Sequence, residues 1–100
     1  MYELQFQFEW NEVKAAANAR KHGVSFDLAR TVFGDPLLLT VADLEHNKCE
    51  ERWFSIGRAA NGSMLSIAYL WSEAEPATKI RIISARKATH TEIRQYEENL

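Results

Sequence analysis

Cysteine is nearly absent from this 100-residue chain; Cys49 is the only one. A lone thiol excludes an internal disulfide framework and a multi-cysteine zinc site, and it fits a reducing, cytoplasmic compartment. Proline (two) and glycine (four) are also scarce. The glycines form no phosphate-cradling loop, so no cofactor is expected, and no low-complexity linker divides the chain. No apolar run approaches the ~20 residues of a membrane span. The first nine residues alternate polar and apolar side chains and carry Glu3 and Glu9, unlike the basic start and apolar run of an export signal. None of His22, His46 and His90 stands four residues from another, and no cluster has metal-ligand spacing, so no metal site is expected. Bulk positive charge is missing too. Twelve basic and 14 acidic residues give a net charge of −2, which argues against a protein held on nucleic acid by its overall field.

What is present describes a foldable globule. Apolar residues make up 46% and charged residues 26% of the chain, near the averages for globular domains. One domain spanning residues 1–100 is expected.

Leu4, Phe6, Phe8 and Trp10 alternate with polar residues and predict a strand with one buried face. Asn11 is a good N-cap for an alanine- and lysine-rich helix over 12–22, in which Val13, Ala16, Ala17 and Arg20 fall at three- and four-residue spacing. Gly23 stops that helix and Val24 can fold back on it. Ser25 caps a second, shorter helix with Phe26, Ala29, Val32 and Phe33 as its buried stripe, ended by Gly34-Asp35-Pro36. Residues 37–41 read as a strand and 42–51 as a polar loop.

Three further strands follow at 52–58, 64–71 and 79–85. Asn61-Gly62 is a strong hairpin signal between the first two, and 72–78 reads as a polar link. Thr89 and Glu92 fit a capping box for a C-terminal helix with Ile93, Tyr96 and Leu100 on one stripe. The fold class expected is α+β. A mostly antiparallel sheet of four to five strands should carry two N-terminal helices and one C-terminal helix on one face, leaving the other free for function.

Charge is unevenly distributed. Residues 1–51 hold 5 basic and 9 acidic groups, whereas residues 52–94 hold 7 basic and 3 acidic ones. Lys79, Arg81, Arg86 and Lys87 fall within nine residues that contain no carboxylate, and Arg52 and Arg58 bracket a neighbouring strand. Guanidinium groups on a rigid sheet can hold phosphate oxygens with forked hydrogen bonds. Read by itself, such a run is more often a solvated surface. His22, following Arg20 and Lys21, is by position more often a helix-end cation than a catalyst. The acidic setting of Cys49 opposes thiolate chemistry. Trp10, Trp53 and Trp71 are more often core or interface than platforms for bases.

The strings Phe8-Glu9-Trp10-Asn11-Glu12-Val13-Lys14, Asn18, Lys21-His22-Gly23-Val24-Ser25-Phe26 and Val32-Phe33-Gly34-Asp35-Pro36 resemble the N-terminal half of the BrnT family. Glu51-Arg52, Ile56-Gly57 and the run Arg81-Ile82-Ile83-Ser84-Ala85-Arg86-Lys87-Ala88, followed by Glu92 and Tyr96, resemble its second half. The chain departs from the family in the acidic 72–78 link, with Glu73 and Glu75, and in the His90-Thr91 helix start.

The resemblance implies a RelE-like fold and the toxin of a type II toxin–antitoxin module, a ribonuclease that inhibits translation. It also implies neutralisation by a BrnA-like DNA-binding antitoxin, in a 2:2 complex that reaches promoter DNA only through the antitoxin. In its light, Lys21 and His22 belong with the basic run in an RNA-facing site.

A ribonuclease without metal can use the ribose 2′-hydroxyl as nucleophile. It then needs proton transfer and fixed cations around the phosphate. Arg52, Arg81 and Arg86 are the expected phosphate clamps, with Lys21, His22 and Lys87 as further catalytic candidates. Arg58, Tyr69 and Lys79 are expected to contact substrate. Tyr69 also stands among the groups that could carry or position a proton, and Trp71 is an expected anchor for the antitoxin. The competing expectation is a non-catalytic module that binds its partner and acts with it as co-repressor.

Overall fold

A computed structural model describes residues 6–42, 51–74 and 77–100. Expectations that rest on Leu4, the 43–50 loop with His46 and Cys49, and Glu75-Pro76 lie outside these residues. The elements run β1 (Phe6–Glu9), α1 (Glu12–His22), α2 (Phe26–Ala29) with a 3-10 turn over Arg30–Gly34, β2 (Leu39–Ala42), β3 (Glu51–Arg58), β4 (Met64–Ala74), β5 (Ala77–Lys87) and α3 (His90–Glu98). They form one five-stranded sheet in the order β1-β5-β4-β3-β2. The class is α+β and the sheet is mostly antiparallel.

The local signals behave as their chemistry predicts. Asn11 accepts hydrogen bonds from the Val13 and Lys14 amides, and Gly23 ends α1 at φ +70°. Val24 folds back into the core, 2% exposed. Ser25 caps α2, and Thr89 with Glu92 closes a full capping box on α3. Gly62, at φ +88°, turns the β3–β4 hairpin.

Four features differ from the expectation. First, β1 pairs in parallel with β5. Two helical segments separate β1 from β2, so it can reach the free edge of the last strand instead of joining the meander. Second, the β4–β5 hairpin is longer than predicted. Ladder pairs continue to Ala74 and Ala77, so most of the expected 72–78 link is strand.

Third, α1 does not bury its Val13–Ala17 side. Val13 is 77% exposed, while Ala15 packs against the core and Asn18 is buried. Fourth, the helices lie on both faces. Val24, Phe26, Ala29 and Val32 cover Leu65, Ile67 and Tyr69. By the alternation of strand residues, Ser66 and Ile56 point to the opposite face. There α3 crosses, placing Glu92 beside Arg86, the ladder partner of Ser66, and Tyr96 against Asp35. Ile56 is completely buried as a result, and the stripe ends at Tyr96, because Leu100 is 68% exposed beyond the helix. Among the described residues, no helix covers the far end of this second face, beyond α3.

One side-chain amide joins α1 to the sheet. Asn18 accepts from the Ala85 N–H at 3.1 Å and donates to the Ala85 carbonyl at 2.8 Å and the Val24 carbonyl at 3.0 Å. It serves the edge of β5 four residues past Arg81, where the β1 pairing ends. Replacing it strands buried backbone groups, each of which costs about 1–3 kcal/mol. Asn18→Ala is expected to lower unfolding stability by about 2–4 kcal/mol in urea titrations, against little change for Lys14→Ala on the exposed side.

Candidate nucleic-acid interface

The basic residues reach their positions through an irregularity in β5. Tyr69 pairs with Ile82 but Ala68 pairs with Ser84, so Ile83 is an extra residue in β5. In an unbroken strand, Arg81 and Arg86 would face opposite sides, being an odd number of residues apart. The bulge restores them to one face. Lys79, Arg81 and Arg86 pair with Ser72, Leu70 and Ser66 of β4, all on the face opposite the main core.

These cations nevertheless form two groups. At one end of the second face, Arg52 and Arg81 flank Leu70 in a single cross-strand row, their backbones about 10 Å apart by strand spacing. Lys79 lies in the next row beside Ser72. Arg81 stands 3.9 Å from Glu9 of β1, with both side chains about half exposed, an ion pair of little strength. Five residues further along β5, roughly 16 Å at ~3.3 Å per residue, Arg86 and Lys87 end the strand. The Asn18–Ala85 contact brings Lys21 and His22 to that same corner. They lie within one helical turn of Asn18, and Arg86 and Lys87 are the next two residues after Ala85. Lys21 and Lys87 are exposed and His22 is half-buried.

Arg58 sits at the same end of the sheet but two strands away. Its guanidinium donates to the Gly62 carbonyl at 3.1 Å and its amide to Asp35 Oδ2 at 2.8 Å. Tyr69 belongs to the main core and underlies the aromatic groove described below. It is 1% exposed, packs edge-on against Phe33 at 5.0 Å, and its hydroxyl stands 2.7 Å from Ser55 Oγ. Burial pushes its pKa up, further from proton exchange near neutrality. The odd parity that frees Leu70 and Ser72 buries Tyr69, and the residue alone carries no signal of that.

Sequence reasoning missed the partner of Arg86. Glu92 accepts from Nη1 at 2.7 Å and Nη2 at 2.9 Å, and its Oε1 also takes the Thr89 amide at 2.9 Å. The six-residue spacing across a strand end and a helix cap was the available signal. Nη1 donates as well to the Lys87 carbonyl at 3.2 Å. Among the described residues, Arg86 Nε–H and one Nη2–H stay available to a ligand. The paired guanidinium holds the Glu92 carboxyl below its usual 4.5, and the Thr89 hydrogen bonds add to this against the cost of burial.

Asp35 makes a second tie under α3. Burial alone would raise its pKa, but hydrogen bonds from the Arg58 and Leu37 amides and the Tyr96 hydroxyl outweigh that and lower it. Among the described residues no cluster of His, Cys, Asp or Glu is gathered as a metal would require, and no helix is long and apolar enough to cross a membrane.

Near the open end, on the face that carries the main core, a groove of about 330 Å³ lies between β1 and β2. Phe6, Phe33, Trp53 and Trp71 wall it, with Thr40, Glu51 and Tyr69 bringing polar groups. Trp71, expected as an exposed anchor, is half-buried and meets Phe6 edge-on at 6.0 Å. A shallower depression of about 340 Å³ shares Glu51 and Trp71 with the groove and includes Lys79 and Arg81.

A family model described as "Ribonuclease toxin, BrnT, of type II toxin-antitoxin system" matches residues 10–92. The chain belongs to the BrnT family. No curated protein matches it at a significant level. The matched span takes in Asn18, Lys21 and His22, the bulged β5 with both cation groups, and Glu92. In this BrnT chain, therefore, the elements that assemble the basic corner lie within the family's own span, and a toxin of this type implies an antitoxin partner and ribonuclease activity.

Because the folded pKa of Glu92 lies below its unfolded value, its stabilising contribution is complete above the unfolded pKa and is lost as pH falls through the folded one. Glu92→Gln is expected to cost about 1–2 kcal/mol at pH 7, a figure limited by solvent screening at the partly exposed Arg86. The difference from wild type should shrink below pH 4, as read from thermal unfolding at a series of pH values.

Proposed function

We propose that this toxin is a metal-independent endoribonuclease whose catalytic corner is built from Lys21, His22, Arg86 and Lys87. The observation that supports this reading is the Asn18–Ala85 contact, which seats the last turns of α1 against the end of β5. The 2′-hydroxyl attacks the adjacent phosphorus, the bond to the 5′-oxygen breaks, and a 2′,3′-cyclic phosphate remains. His22 carries a proton in this exchange, with Lys21 and Lys87 as the further candidates for proton transfer and positioning. Arg86, held in place by Glu92, presents its two remaining N–H groups to the phosphate. Arg52, Arg81 and Lys79 take the flanking backbone at the open end, and Arg58 lies at the margin. Tyr69, buried in the core, is not part of the catalytic corner.

In this reading one domain cleaves cytoplasmic RNA and so inhibits translation. The antitoxin is a BrnA-like DNA-binding protein in a 2:2 complex that covers the cations and reaches promoter DNA through its own domain. One observation favours the competing co-repressor reading: Glu92 and Glu9 offset Arg86 and Arg81, the two arginines of the bulged β5.

The two readings separate in one assay. Folded, partner-free protein is expected to cut a long RNA in the presence of chelator, leaving 5′-hydroxyl and cyclic phosphate ends. Absence of cleavage favours the co-repressor, and loss in chelator with recovery in magnesium refutes the metal-free mechanism. Arg86→Ala, verified as folded, should reduce toxicity at least tenfold relative to Lys14→Ala at equal expression, since a charge-assisted contact contributes ~1.5–3 kcal/mol. Equal toxicity removes Arg86 from the site.

A further inference from the structure

From the aromatic groove we infer a base-recognition subsite that takes guanine and sets where this enzyme cuts. The inference rests on the ribonuclease reading and assigns residues that the catalytic corner leaves unused. The groove's volume, about 330 Å³, is at the lower end of ligand pockets (~300–1,000 Å³) and admits one nucleobase, not a large ligand. Its walls are ring faces and edges of Phe6, Trp53 and Trp71. Single-stranded RNA is recognised by splaying bases onto such platforms and reading their Watson–Crick edges.

Two features give the groove polarity. Glu51 is exposed, lines the groove, and brings two carboxylate oxygens. A carboxylate pairs best with two adjacent N–H donors. Among the four RNA bases, only guanine presents a ring N–H beside an exocyclic amino group. Thr40 lies on the opposite wall from Glu51's strand partner Trp71, and its hydroxyl is 3.0 Å from Ser55 Oγ, which is in turn 2.7 Å from the Tyr69 hydroxyl. This supported hydroxyl can donate to a carbonyl such as guanine O6.

The phosphate has a place as well. The neighbouring depression shares Glu51 and Trp71 with the groove and carries Lys79 and Arg81. Neither Lys79 nor the loosely held Arg81 is locked by a short ion pair among the described residues. Lys79 and Arg81 lie on the face opposite the groove, so the phosphate of a nucleotide seated by its base meets them by turning round the sheet at Glu51 and Trp71, the two residues both depressions share. From there the strand can follow β5 toward the corner at Arg86, roughly 16 Å away.

The test uses the full chain and four probes: 5′-GMP, 5′-AMP, 5′-CMP and 5′-UMP. Trp53 and Trp71 line the groove, whereas Trp10 packs against Phe26 elsewhere, so base stacking is read as tryptophan quenching. 5′-GMP is expected to quench saturably and to bind about tenfold or more tighter than 5′-UMP, the discrimination one good bidentate contact provides. Glu51→Gln should remove that preference while the protein still cuts RNA, now without preference for guanine at the bound position. Lys79→Ala should weaken 5′-GMP but not guanosine. Equal quenching by all four nucleotides, an unchanged preference in Glu51→Gln, or quenching produced only by the antitoxin each overturns the subsite; the last assigns the groove to an apolar protein segment. Cleavage with no guanine selectivity would sink the subsite and leave the ribonuclease reading standing. Selective 5′-GMP binding without cleavage would do the reverse.

Discussion

The amide of Asn18 gives β5 the donor and acceptor that a neighbouring strand would supply, just beyond the point where β1 stops. A strand edge with unpaired N–H and C=O groups is costly if buried and a hazard if exposed. Here one side chain satisfies both groups of Ala85 and also holds the Val24 carbonyl, so α1, the turn after it and the end of β5 are fixed as one unit. Lys21 and His22 lie inside the segment that this contact closes. Their position relative to Arg86 and Lys87 is therefore a consequence of backbone satisfaction, not of attraction between like charges, which would separate them.

A second constraint shapes the other side of the corner. Arg86 is not a loose surface cation. Glu92 both caps α3 and holds the guanidinium, so the helix start and the proposed phosphate clamp are one hydrogen-bonded structure. Holding a guanidinium in this way costs part of its donor capacity and removes most of its freedom. Electrostatic catalysis gains from fixed donors, which need no reorganisation as charge develops. The bulge at Ile83 completes the arrangement by turning Arg86 to the same face as Arg81.

Much of the fold was legible because it rests on local chemistry. The Asn11 cap, the Gly23 stop, the Asn61-Gly62 hairpin and the Thr89–Glu92 box each follow from a few neighbouring residues. What escaped depends on long-range pairing. Nothing near Phe6 or Phe8 announces a parallel partner in β5. The exposure of Val13 and burial of Asn18 reverse the usual polarity of a helix face, because the sheet edge needs an amide more than it needs a methyl group. Strand parity misplaces Arg86 relative to Arg81 unless the bulge is known, and no residue type marks Ile83 as the extra one. The run of four cations was visible as composition. Its division into an open end and a corner was not, since that follows from where α1 and α3 land.

The account stands or falls on RNA lying against the corner at the end of β5. The most direct measurement is a map of backbone and side-chain chemical-shift changes in the partner-free protein as a 2′-O-methyl oligoribonucleotide is added, since that strand cannot be cut through its 2′-oxygen. The largest changes are predicted at Lys21, His22, Arg86 and Lys87, extending along the second face to Arg81 and Lys79. Changes confined to the outer side of α1 around Val13 and Lys14, with the corner silent, would contradict it.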